Sequence, residues 1–176
     1  MYDLYVPMID DVDFTVTYDE AKELVKKATA PLGQRYAALL DEAYTNNWMD
    51  VYENKGKTTG AYSCGVFGVH PYVLLNYTDT LDDAFTLAHE LGHAFHNLCI
   101  RDHRALNKDY SMPVAETAST FNECVVMAAA ISKAESKEEK LALIESQLQD
   151  ATQIICDIYS RFLFEAMVFE KREKEF

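Results

Sequence analysis

Two histidines four residues apart stand in the run Thr86-Leu87-Ala88-His89-Glu90-Leu91-Gly92-His93-Ala94-Phe95. On a helix, positions i and i+4 lie on one face, one turn apart. Both imidazoles, of His89 and His93, can therefore address a single ion. Glu90 lies about 60° round the helix from His93, at about 100° per residue. It can stand beside that ion without binding it. Two neutral nitrogen ligands, with a carboxylate to take the proton from a metal-bound water, are what metal-assisted hydrolysis requires.

Such a motif carries weight only on a helix, and a helix is expected here. Between Thr86 and Phe95 the only ionisable side chains are Glu90 and the two histidines. Upstream, Thr80 with Asp83 three residues on forms a capping box, and Asp82 and Asp83 suit the positive end of the helix dipole. Leu81, Phe85, Ala88 and Leu91 make an apolar stripe along it.

A catalytic zinc takes three protein ligands and keeps one position open. The metzincin continuation needs Gly at position 96 and His at position 99, and the chain has His96 and Cys99 instead. His96 faces the same way as His89 but lies one turn too far along, so it reads as a packing or supporting histidine. A better source is Val114-Ala115-Glu116-Thr117-Ala118-Ser119-Thr120-Phe121-Asn122-Glu123. It carries two carboxylates seven apart on one helix face, among small residues that let helices approach closely. Either Glu116 or Glu123 could ligate, and the other could then accept the free N–H of a ligand histidine. Ala115, Ala118, Phe121, Cys124 and Val125 do not compose a solvated face, and an unpaired Glu is seldom buried.

The surrounding elements read as mainly α, of α+β class, with a small sheet before the motif helix. Thr17-Tyr18-Asp19-Glu20 is a capping box that opens a helix running to Ala30. Pro31 ends it or opens the next, which carries Leu32, Tyr36, Leu39, Leu40 and Ala43 and stops at Asn46-Asn47. Trp48, Val51 and Tyr52 before Asn54-Lys55-Gly56 suggest a short strand and a turn. Tyr72-Val73-Leu74-Leu75-Asn76-Tyr77 reads as a buried strand. Ser111 caps a helix through Ala130. Ser136 to Glu139 is a third capping box, opening a last helix that continues toward the C-terminus. Its stripe of Leu141, Ile144, Leu148, Ala151, Ile155, Ile158, Tyr159, Phe162 and Phe169 reads as core. Residues 1–17 look irregular, and Asp10, Asp11 and Asp13 read as a solvated acidic loop, since an EF-hand loop's Gly and spaced Glu are missing.

The 176 residues suit a single domain, and half of them are hydrophobic. The net charge of −13 excludes nucleic acid and anionic membrane surfaces as natural partners and disfavours acidic peptides. No run of about 18 apolar residues exists, so no transmembrane helix is expected, and the N-terminus carries no signal-peptide pattern. Cys64, Cys99, Cys124 and Cys156 are scattered without a C-x-x-C pair, which points to reduced thiols in a cytoplasmic protein.

His89-Glu90-Leu91-Gly92-His93-Ala94-Phe95-His96, followed by Glu116-Thr117-Ala118-Ser119 and Glu123, resembles the oligoendopeptidase F branch of the thimet oligopeptidase family. So do Gly60-Ala61-Tyr62-Ser63 and Pro71 to Tyr77 upstream. The likeness runs from Leu4 onward. It implies a zincin-like helical metallopeptidase core, one zinc ion held by His89, His93 and Glu116, and Glu90 as general base on the zinc-bound water. It implies that Glu123 supports a ligand. It also implies that Gly60, Ala61 and Tyr62 lie on an edge strand that pairs with an oligopeptide substrate. Family members are several times longer and carry a later histidine and tyrosines that stabilise the oxyanion. The expectation is thus one catalytic core over residues 1–176, fragment-sized for the family, either active alone or inactive without the missing segments. Tyr62, Tyr72, Tyr77, Tyr110 and His103 are the local candidates for an oxyanion donor.

Overall fold

A computed structural model describes residues 15–66 and 68–175. The acidic cluster at Asp10, Asp11 and Asp13 lies outside the described residues. Those described fall into two compact units, 15–132 and 133–175.

The first unit is a set of helices around one core, with a three-stranded sheet at its side. Helix α1 (Tyr18–Thr29) starts at the expected capping box: Glu20 N donates to Thr17 Oγ1, and the Thr17 N–H donates to Glu20 Oε2. Pro31 sits in a single tight turn, Ala30–Leu32, and Gly33 follows at φ +101°, a backbone setting that glycine adopts without strain. Helix α2 (Gln34–Thr45) then buries Tyr36, Leu39, Leu40 and Ala43.

Strands β1 (Met49–Tyr52), β2 (Tyr62–Cys64) and β3 (Tyr72–Tyr77) pair in the order β1-β3-β2. β3 is central because alternate residues Val73, Leu75 and Tyr77 enter the core. β1 runs parallel to it, with Met49 opposite Val73, and β2 runs antiparallel, with Tyr62 opposite Leu74. The segment before β2 is tied down by side chains. Asn76 Nδ2 donates to the carbonyls of Thr58 and Gly60, and Lys57 Nζ donates to those of Asp50 and Tyr52.

Helix α3 (Leu81–Cys99) follows directly, and α1, α2, β2 and β3 all pack on it. Its buried residues Ala84, Leu87, Ala88, Leu91 and Ala94 sit in the middle of the core cluster. Helix α4 (Met112–Lys133) runs three residues past the expected end at Ala130. It buries Ser119, Asn122, Val126 and Met127, while Phe121 and Cys124 face outward, unlike the apolar surrounding expected for them. Its buried face is thus polar at Ser119 and Asn122 and apolar at Val126 and Met127.

In the second unit, α5 (Lys137–Thr152) begins at the Ser136 capping box and passes through a wider π-helical stretch, Gln153–Ile158, into α6 (Tyr159–Glu175). The stripe read as core is a correction: Leu148, Ile155, Ile158, Tyr159, Phe162 and Phe169 are each more than half exposed. Consecutive helical segments cannot bury their own stripe, because burial needs a second surface facing it. Among the described residues no helix is long and apolar enough to cross a membrane.

Candidate metal centre

The candidate centre is built where α3 and α4 touch, within the first unit. The start of α3 is held by Thr80 and Asp83, whose carboxylate accepts hydrogen bonds from Thr78 N, Thr78 Oγ1 and Thr80 N. The helix can then run uncapped through its middle, with Gly92 as its thinnest point. A Cβ added to Gly92 would stand 2.6 Å from the Ala118 carbonyl oxygen and 2.7 Å from Ser119 Cα. Backbone meets backbone there. A mid-helix glycine costs about 1 kcal/mol relative to alanine, and close approach is what it provides here. Asn122, almost wholly buried, locks the same contact. Its Nδ2 donates to the Ala88 carbonyl at 2.6 Å and to the Tyr36 hydroxyl at 2.5 Å, joining α2, α3 and α4 just behind His89.

This packing brings three donor atoms together. His89 Nε2 and His93 Nε2 are 3.1 Å apart, and Glu116 Oε2 lies 3.2 Å from the first and 3.4 Å from the second. Bonds of 2.0–2.1 Å to a tetrahedral ion place neighbouring ligand atoms about 3.3 Å apart, so the three edges fit one ion. Among the described residues this is the group of histidines, cysteines and carboxylates that could hold a metal.

The histidines are oriented from behind. His89 Nδ1 donates to Glu123 Oε1, which leaves Nε2 with its lone pair toward the other donors. His93 is held by a hydrogen bond to the Ala115 backbone. Ser119 Oγ lies 2.8 Å from Glu116 Oε2. Burial alone would lower the pKa of His89, but the hydrogen bond and charge of Glu123, with Glu90 and Glu116 nearby, raise it. Burial, then the neighbouring His89, lowers that of His93.

Glu90 is 5% exposed, and its Oε2 is buried without a hydrogen-bond partner among the described residues. Burial pushes its carboxyl up to about 7; the His89 charge opposes this, and Glu116 and Glu123 reinforce it. A buried carboxyl with a raised pKa beside two histidines is a candidate functional group.

The remaining residues singled out from sequence divide. β2, with Tyr62, forms one edge of the sheet, and Gly60 turns the chain into it at φ +85°. Ala61 packs against the core. His96 stays outside the three-donor group and packs against Tyr110, the ring centroids 4.4 Å apart and tilted by 35°. Tyr77 is buried with its hydroxyl donating to the Val16 carbonyl, and the Tyr110 hydroxyl donates to Asn97 Oδ1. Gly92, Ser119 and Asn122 were not singled out. Gly92 could have been, as a glycine kept inside a strong helix pattern.

Comparison with known proteins agrees with this architecture. Oligopeptidase PepF of Bacillus subtilis is 43% identical over 150 residues, covering 85% of this chain and 22% of its own. An oligoendopeptidase F homolog of Borreliella burgdorferi is 35% identical over 178 residues, covering 99% of this chain and 30% of its own. The chain thus spans less than a third of the length of these curated relatives. A crystal structure of a Chlamydophila abortus protein assigned as a peptidase superposes with a TM-score of 0.79 at 35% identity, over 94% of this chain and 28% of that one. The sequence model of peptidase family M3 matches residues 8–176, a span that takes in both helices of the metal centre and the sheet beside them, and the chain belongs to that family.

Proposed function

We propose that this chain carries the zinc centre of a metalloendopeptidase that hydrolyses peptide bonds of oligopeptides. His89, His93 and Glu116 hold the ion. The observation that carries the reading is the triangle of 3.1, 3.2 and 3.4 Å between their donor atoms. Zinc held by these residues would supply a Lewis acid and lower the pKa of a bound water toward about 7.

Glu90 is the general base. It takes the proton of the attacking water and hands it to the leaving amine. Its burial and its unpartnered Oε2 support that role. Glu123 keeps the His89 ring turned toward the ion. The outer edge of β2, approached through Gly60 and Ala61 and including Tyr62, pairs with the backbone of the substrate. Main-chain hydrogen bonds read no side chains, so sequence tolerance follows. The net charge of −13 favours neutral and basic peptides over acidic ones. The names of the relatives, oligopeptidase and oligoendopeptidase, support an oligopeptide substrate. The four unpaired cysteines suit a reducing cytoplasm.

The test is to incubate the zinc-loaded chain with a mixture of unstructured peptides and identify products by mass spectrometry, with Glu90→Gln as control. Cleavage should fall by about a hundredfold or more in the variant, with one zinc still bound. Undiminished cleavage removes Glu90 as base. A wild-type chain that binds no zinc removes the reading of the centre. Zinc binding without cleavage assigns the missing steps to the greater length of the relatives.

A further inference from the structure

Ser119 is fully buried on α4, and its hydroxyl has one proton and two acceptors in reach. These are the Glu116 carbonyl at 3.0 Å and Glu116 Oε2 at 2.8 Å. A buried helical serine ordinarily bonds back to the carbonyl one turn earlier. Here that carbonyl is already served by Thr120 Oγ1 at 2.6 Å. The carboxylate is the shorter of Ser119's two contacts and the charged one, and charge-assisted hydrogen bonds are roughly twice as strong as neutral ones. Glu116 Oε2 is also the oxygen that faces both histidine Nε2 atoms. The Glu116 side chain is 42% exposed, more open than His89 or His93, so it has room to turn toward solvent.

We propose that Ser119 is a positioning residue that holds Glu116 in its ion-binding rotamer before the ion arrives. The proposal rests on the reading of Glu116 as a metal ligand. The hydroxyl proton goes to Oε2 and leaves the carboxylate its remaining lone pairs for the ion. Ser119 itself cannot drift, because its Cα lies against the bare backbone of Gly92. An ordered carboxylate then loses little freedom on binding, which is where the affinity arises.

The experiment is a zinc titration of the full chain against a chromophoric chelator, with cobalt absorption spectra alongside, for Ser119→Ala, Ser119→Gly, Thr120→Ala and Glu116→Ala. Ser119→Ala and Ser119→Gly only remove atoms, so neither overfills the interface, and melting of the metal-free protein checks that each is folded. Loss of the tether should weaken zinc about tenfold to a hundredfold and shift the cobalt spectrum. Thr120→Ala keeps the Ser119 hydroxyl but frees the Glu116 carbonyl to compete for it, so it should weaken zinc less than either Ser119 variant. A folded Ser119 variant that binds within about threefold of wild type, while Glu116→Ala has lost zinc, overturns the proposal and leaves the ligand reading standing. Unchanged zinc binding in Glu116→Ala overturns both.

Discussion

Gly92 of α3 lies against Ser119 of α4 so closely that a methyl group on the glycine would sit 2.7 Å from the serine Cα. The whole candidate metal centre depends on that spacing, because the histidines ride on one helix and Glu116 and Glu123 on the other.

Gly92→Ala should therefore cost more than its gain in helix propensity. The atoms it meets are backbone and cannot rotate away, so the helices must part. Overpacking of this kind costs about 1–3 kcal/mol. Denaturant unfolding should report the loss of stability, and a zinc titration of the same protein should show weaker binding as Glu116 is carried away from the histidines.

Glu90→Gln should stabilise the metal-free protein at alkaline pH. Below about pH 4 the carboxyl is protonated in folded and unfolded chains alike, and the substitution should be near neutral. As pH rises, the unfolded chain ionises while the folded one keeps its proton up to about 7, because burial penalises the charge. Wild-type stability falls across that window and stays lowered above it, by about 3 kcal/mol. Melting curves of metal-free wild type and variant at pH 4 and pH 8 should diverge only at the higher pH; parallel curves would count against a buried, neutral Glu90.

Removing the Glu123 carboxylate by Glu123→Ala frees the His89 ring to rotate and to choose its tautomer. Metal affinity should fall about tenfold to a hundredfold. Chelator competition measures this, and unchanged affinity would show that His89 is held by packing alone.

Asp83→Ala tests how α3 is started. Burial alone would raise the Asp83 carboxyl, but hydrogen bonds from Thr78 and Thr80 outweigh it and hold the group below its usual value. A depressed carboxylate contributes stability above its unfolded pKa and loses it as pH falls through the folded one. The variant should be about 1 kcal/mol less stable at pH 7, and the gap should close as pH drops below about 4. A gap that persists in acid would assign the effect to packing.

Local chemistry was legible without the fold. The capping boxes at Thr17, Thr80 and Ser136 depend on residues three apart, and all three form. The i, i+4 spacing of His89 and His93 needs only a helix. The alternation of Val73, Leu75 and Tyr77 needs only a half-buried strand. The apolar stripe of α5 and α6 was equally legible as a helix and misleading as a core, because periodicity reports which face is apolar but not what covers it.

By itself, the sequence determined the motif helix, its start, the two imidazoles on one face and a carboxylate beside them, since each is set by contacts within a few residues along the chain. From the residues alone, Glu116 and Glu123 were interchangeable as third donor, and the family likeness chose between them. Only the tertiary structure supplied the geometry behind that choice. The backbone contact at Gly92 and the Asn122 link to Ala88 set the height of α4 against α3, and so bring Glu116 Oε2 to the imidazole Nε2 atoms and Glu123 to the back of the His89 ring. Spacing along one helix cannot set the register between two, because that register is decided by side-chain packing between segments distant in the chain.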